Sequence, residues 1–147
     1  MTVHSQRDKA VLMVDAQLVT DAQTVTANLD TRGAAWATIF VNFSAEEGTD
    51  ATAASYSILT CDTTVASDFV TLQAIQTFAQ TATGKLVQLE VDCRKHKRYL
   101  RLSLKTGTAT GSNSWISAIG LLSRQAIDPE NTSDMVSDTT DYYVHVL

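Results

Sequence analysis

A chain of 147 residues, 44% hydrophobic and 18% charged, has the composition of one globular domain. A domain of that size buries roughly 70% of its unfolded surface without disulfide or metal staples. The formal net charge of -5 disfavours nonspecific nucleic-acid binding, which draws on surplus lysine and arginine to displace counterions. No run approaches the roughly 18 apolar residues of a membrane span, and Met1 to Ala10 (MTVHSQRDKA) lacks the apolar stretch of a signal peptide, so the sequence predicts cytosolic synthesis without nucleic-acid or membrane partners.

Taken in order, strands are predicted over Val11 to Val19, Thr24 to Leu29, Trp36 to Phe43 and Ser55 to Cys61. Threonine, valine, isoleucine and aromatic residues fill them, side chains that suit a pleated surface, and Gly33 and Gly48 fall between them as turn residues. Ala37, Ile39, Val41 and Phe43 make a clean inner row. Glu46, Glu47 and Asp50 read as an exposed acidic loop, because they lack the regular oxygen spacing of a calcium site.

Phe69 to Ala79 admits two readings. Ser67 and Asp68 are good N-caps, and Phe69, Leu72, Ile75 and Ala79 fall near one helical face; Val70, Leu72 and Ala74 alternate as in a strand. The alternation favours the strand by a small margin.

Lys85 to Lys105 carries the strongest pattern. Val87, Leu89, Val91 and Cys93 alternate with Gln88, Glu90 and Asp92, and Leu100, Leu102 and Leu104 alternate with Tyr99, Arg101, Ser103 and Lys105. The pattern predicts a β-hairpin with one buried face. Its turn, Arg94-Lys95-His96-Lys97-Arg98, holds four of the eleven basic residues. It reads either as a solvated tip or, through Arg94, Lys95, Lys97 and Arg98, as an electrostatic contact with an acidic partner surface.

Trp115 to Leu122 is apolar on both faces, which predicts a central strand covered on both sides, by a neighbouring subunit on the second. Pro129 opens an acidic segment, 128–141, with five acids and no lysine or arginine, read as mobile or partner-bound. A last strand is predicted over Tyr142 to Leu147. Trp115, Tyr142 and Tyr143 are candidate residues of an oligomer interface, a dimer or trimer.

Cys61 and Cys93 fit two buried small hydrophobes, the alternative being a bridge formed after release from the cell. Cys93 with His96 is too little for a metal site, and neither metal nor cofactor is expected. His4, His96 and His145 have no triad-like neighbours, and Gly107 to Gly111 (GTATG) lacks the lysine and helix of a phosphate loop. The chain therefore reads as a single domain over residues 1–147, without enzymatic activity. The predicted fold is an all-β, antiparallel sandwich of about eight strands with room for one short helix.

Leu29-Asp30-Thr31-Arg32-Gly33 with the apolar row through Phe43, the strand from Tyr56 to Asp62, Lys97-Arg98-Tyr99-Leu100-Arg101-Leu102 and Leu121-Leu122-Ser123-Arg124 resemble a family of small proteins encoded beside tailed-phage major capsid proteins. The likeness is one of pattern and spans most of the domain. It implies a jelly-roll-type sandwich acting as a capsid cement or decoration protein: a virion component on the capsid exterior that binds the major capsid protein and itself, and clamps neighbouring capsomers. The turn before Tyr99 is longer than that pattern expects. A second class of function, a carbohydrate-binding or other recognition sandwich such as a tail-fibre module, would use Trp36, Tyr56 or Trp115 as a stacking platform.

Overall fold

The computed structural model describes residues 8–20, 23–44, 53–79, 84–106, 113–124 and 142–146. Nine strands follow in chain order: β1 Asp8–Thr20, β2 Thr24–Asp30, β3 Trp36–Phe43, β4 Ala53–Cys61, β5 Val70–Ala79, β6 Lys85–Asp92, β7 Tyr99–Lys105, β8 Asn113–Ser123 and β9 Tyr142–Val146. The Phe69 segment is thus a strand. The short helix is a single 3-10 turn, Ala66–Asp68, leading into β5.

The strands form two sheets, ordered β1-β8-β3-β6-β9 and β2-β7-β4-β5. Setting β9 aside, each sheet holds four antiparallel strands, and the chain changes sheet in the order of two Greek keys. That order is a jelly roll. β9 adds a fifth strand parallel to β6, with Tyr142 beside Leu86 and Val146 beside Glu90.

Period-two alternation builds the core between the sheets. Leu100, Leu102 and Leu104 of β7 and Ile58 of β4 meet Ala37, Ile39, Val41 and Phe43 of β3, Val87, Leu89 and Val91 of β6, and Ile116 of β8, all with no exposed surface. Each large side chain so buried contributes roughly 1.5–3 kcal/mol relative to exposure. At Gly120 of β8 the core comes close: a Cβ there would stand 3.1 Å from a Leu29 methyl and 3.2 Å from the Met13 sulfur.

Two expectations are corrected. β6 and β7 do not pair as a hairpin: β6 bonds to β3 and β9, β7 to β2 and β4, and the basic turn carries the chain from one sheet to the other. Alternation reports which way a side chain points, and a hairpin and a crossing between sheets share it. Nor is β6 buried on one face alone. Gln88, Glu90 and Asp92 are 5%, 5% and 1% exposed, and Gln88 Nε2 donates to Glu90 Oε1 at 2.7 Å. β8 lies centrally, between β1 and β3, as expected; its outward Trp115 and Ile119 are 49% and 48% exposed in the single chain, the side expected to meet a neighbouring subunit.

Candidate functional site

The basic turn closes a corner of the sandwich. Asp92, at the end of β6, receives Arg94 through Nε at 2.8 Å, Nη2 at 3.0 Å and the backbone N–H at 3.1 Å, and the Lys95 ammonium at 3.2 Å. These hydrogen bonds, those from Arg94 foremost, hold the Asp92 carboxyl well below the usual carboxylate range against its desolvation. Arg94 also lies 5.4 Å from the centre of the Trp36 ring. Lys97 faces Asp62 at 3.8 Å, and its backbone N–H donates to Thr60 Oγ1 at 3.1 Å.

Arg98 reaches back to the end of β2. Its Nε and Nη2 donate to the two Asp30 oxygens at 2.9 and 2.6 Å, while the Thr31 N–H and hydroxyl donate to its carbonyl at 2.9 and 2.6 Å. The side-chain bonds from Arg98 are the main cause that draws Asp30 down to about 2, and they raise Arg98 in turn. Asp30 Oδ1 also accepts from the Arg32 N–H at 3.1 Å, and the Ala34 N–H closes on the Thr31 carbonyl at 2.9 Å. Gly33 supplies the left-handed residue that this turn needs, at φ +81°.

Two stretches that looked separate in sequence, Asp30-Thr31-Arg32-Gly33 and Lys97-Arg98-Tyr99, therefore meet as one bolted corner. Each of Arg94, Lys95, Lys97 and Arg98 has a carboxylate of its own chain within 4 Å. The strong positive field expected of a bare tip is largely cancelled at its source.

The outer face of the five-stranded sheet has the opposite character. Leu12 of β1, Ile119 of β8 and Phe40 of β3 form one transverse row, Leu18 and Trp115 a second, and Ala10, Leu121 and Thr38 a third. Leu12 is 61% and Leu18 43% exposed. None of these eight residues is charged; Asp15 is exposed in the β1 bulge between Leu12 and Leu18, and β6 continues the rows with Gln88 beside Phe40 and Glu90 beside Thr38. Trp115 is held by its backbone: its N–H donates to Ser44 Oγ and its carbonyl accepts from the Ser44 N–H, both at 2.8 Å. The indole is thus presented on a fixed strand end.

Of the three aromatic residues weighed as a sugar platform, Trp36 and Tyr56 are 6% and 2% exposed and belong to the interior; Trp115 alone faces outward. Tyr142 and Tyr143 take backbone places in β9 beside Leu86 and Val87, and their side chains lie outside the described residues. So do the acidic segment 128–141, Glu46, Glu47, Asp50 and Gly107 to Gly111. Both cysteines are free thiols, Cys61 buried and Cys93 half-buried, with burial the main cause that pushes the Cys93 thiol up to about 11. Among the described residues no group of histidine, cysteine and carboxylate side chains could hold a metal ion, and no helix is long and apolar enough to cross a membrane.

No family model and no curated protein sequence matches the chain. Solved structures similar to it include the infectious bursal disease virus VP2 subviral particle, at 10% identity and TM-score 0.49, over 82% of this chain and 33% of that one. A second is CBM35 from Cellvibrio japonicus Abf62, at 14% identity and TM-score 0.46, over 80% and 95%. A third is dimeric latent PorU from Porphyromonas gingivalis, at 14% identity and TM-score 0.45, over 80% of this chain but only 12% of that one.

Proposed function

We propose that this jelly roll is a non-catalytic structural module of a virus particle, a cement protein on the outside of a tailed-phage capsid that clamps neighbouring capsomers. The observation that supports it is the outer face of β1, β8 and β3, with four large apolar side chains, Leu12, Leu18, Trp115 and Ile119, turned to solvent. Exposed apolar patches of roughly 300–600 Å² are the largest that ordinary monomers carry, and they are often functional. The capsid as the partner rests on the sequence resemblance alone.

In this reading the major capsid protein is one partner, and a second copy of the chain, as dimer or trimer, is another that the same face admits. No cofactor is involved. Each clamp is weak and many act together, so binding only to the assembled shell stabilises that state by mass action. Mass spectrometry of purified virions tests the reading: the chain should appear at a copy number equal to that of the capsid protein or a simple fraction of it. Absence from the particles would rule it out.

The exposure of Trp115 keeps the carbohydrate reading in play, with a sugar ring stacked on the indole beside Ser117 and Asn42. A glycan array separates the two readings, since specific binding lost in Trp115→Ala would favour the sugar.

A further inference from the structure

The outer face of the four-stranded sheet carries a second arrangement, centred on Arg101 in the middle of β7. Its Nε donates to Asn28 Oδ1 at 2.9 Å, and its guanidinium carbon lies 3.9 Å from the centre of the Phe69 ring. Among the described residues no carboxylate stands within ion-pair distance of it, whereas each cation from Arg94 to Arg98 faces one. One edge and one face of the group are thus occupied. The two Nη groups remain, the fork that matches the two oxygens of a carboxylate.

On one side of Arg101 lies the row of Asp30 and Tyr99, where Asp30 is already paired with Arg98; on the other side the rows are rich in hydroxyls. Thr26, Ser103 and Ser57 cross three strands in one row, and Thr24, Lys105 and Ser55 cross them in the next. Lys105 also lacks a carboxylate within ion-pair distance among the described residues. It sits four residues after Arg101 on the same strand face, roughly 13 Å away at the rise of an extended chain.

We propose that this face binds an acidic polypeptide segment in extended conformation, Arg101 taking one carboxylate with both Nη groups and Lys105 taking a second four residues away. An extended chain repeats same-side carboxylates at that ~13 Å spacing, and the serine and threonine hydroxyls can meet its backbone groups. A polysaccharide fits less well. The aromatic rings here are already stacked, Phe69 under Arg101 and Tyr99 under Arg98 at 4.7 Å, so neither offers an open ring to a sugar. The site lies on the opposite side of the sandwich from the apolar face, and stands or falls without the capsid reading.

The test titrates the full chain with a synthetic peptide carrying two glutamates four residues apart in a serine and threonine background, and with its glutamine counterpart. The glutamate peptide should bind at least about tenfold more tightly, and Arg101→Gln should remove about that factor. Lys105→Gln should lower binding severalfold, and so should Phe69→Leu and Asn28→Ala, which leave every charge in place but free the guanidinium. Arg124→Gln, at the end of β8 in the other sheet, should bind as the wild type does. Circular dichroism identifies any variant that fails to fold, and the remaining ones then decide. Unchanged binding in the folded Arg101→Gln or Lys105→Gln variants, or an equal loss in Arg124→Gln, would overturn the proposal. Tighter binding of a sulfated oligosaccharide than of the glutamate peptide would also overturn it.

Discussion

Gly33 stands at φ +81° with open space where a Cβ would be, so alanine there meets backbone strain without a clash. Gly33→Ala should cost about 1–2 kcal/mol, read as a lower urea midpoint at unchanged slope; an unchanged midpoint would mean that the turn adopts another conformation. Asp30 and Asp92 give a pH dependence of definite sign. Both carboxyls titrate below the unfolded value of about 3.9, Asp30 at about 2 and Asp92 lower still. The unfolded chain therefore takes up protons first, so their stabilisation is complete above about pH 5 and is lost as pH falls from there toward 2. Since Asp30 is well exposed, solvent and salt trim its share. Asp30→Asn should flatten the fall in urea midpoint between pH 5 and pH 3 relative to wild type, and identical curves would contradict the assignment. Little of this corner could be read in the sequence. Asp30 and Arg98 are 68 positions apart, and nothing local to either names the other.

At the scale of the strand, alternation served well wherever the question was which side chains face inward. The rows Ala37 to Phe43 and Leu100 to Leu104 lie inside as their period required. It was silent on pairing. β6 and β7 look like the arms of a hairpin because both alternate and a short turn joins them, yet only the first half of the turn is held by β6, through Asp92, while Lys97 and Arg98 are taken by Asp30, Thr31, Thr60 and Asp62 at the ends of β2 and β4. Its residues are committed to a crossing. The second buried face of β6 was hidden for a related reason: Gln88 and Glu90 satisfy each other, and polar residues so paired look exposed in sequence. Leu102, fully buried in β7 between β2 and β4, offers the sharpest check on the core. Leu102→Ala should cost roughly 2–5 kcal/mol in chemical denaturation. A change below about 0.5 kcal/mol, the size usual for surface positions, would place this residue outside the core.

For the molecule as a whole, the edges and the faces tell different stories. The edge strands β1 and β5 each carry two register shifts, against β8 and β4, and such bulges twist a strand away from edge-to-edge pairing. The other two edges, β2 and β9, pair with β7 and β6 in unbroken register. The two faces are unlike: one exposes large apolar side chains around Trp115 and Ile119, the other is hydroxyl-rich around Arg101. Sequence hinted at the first, since Trp115 to Leu122 was apolar on both sides, but it could not show that the second side lies open. It missed the role of Arg101, whose partners Asn28 and Phe69 come from β2 and the residue before β5.

The central claim, that the apolar face seats the protein on a shell, is tested most directly by rebinding. Wild-type protein and a Trp115→Ser, Ile119→Ser double variant would be added to shells stripped of the chain, at about 50 and about 500 mM salt, where the Debye length falls from roughly 14 to 4 Å. Wild-type occupancy should change little with salt, because the contact is carried by apolar side chains and the corner cations are internally paired, and the double variant should lose most of its occupancy at both salts. Equal occupancy of the two proteins, with the fold of the variant intact, would contradict it.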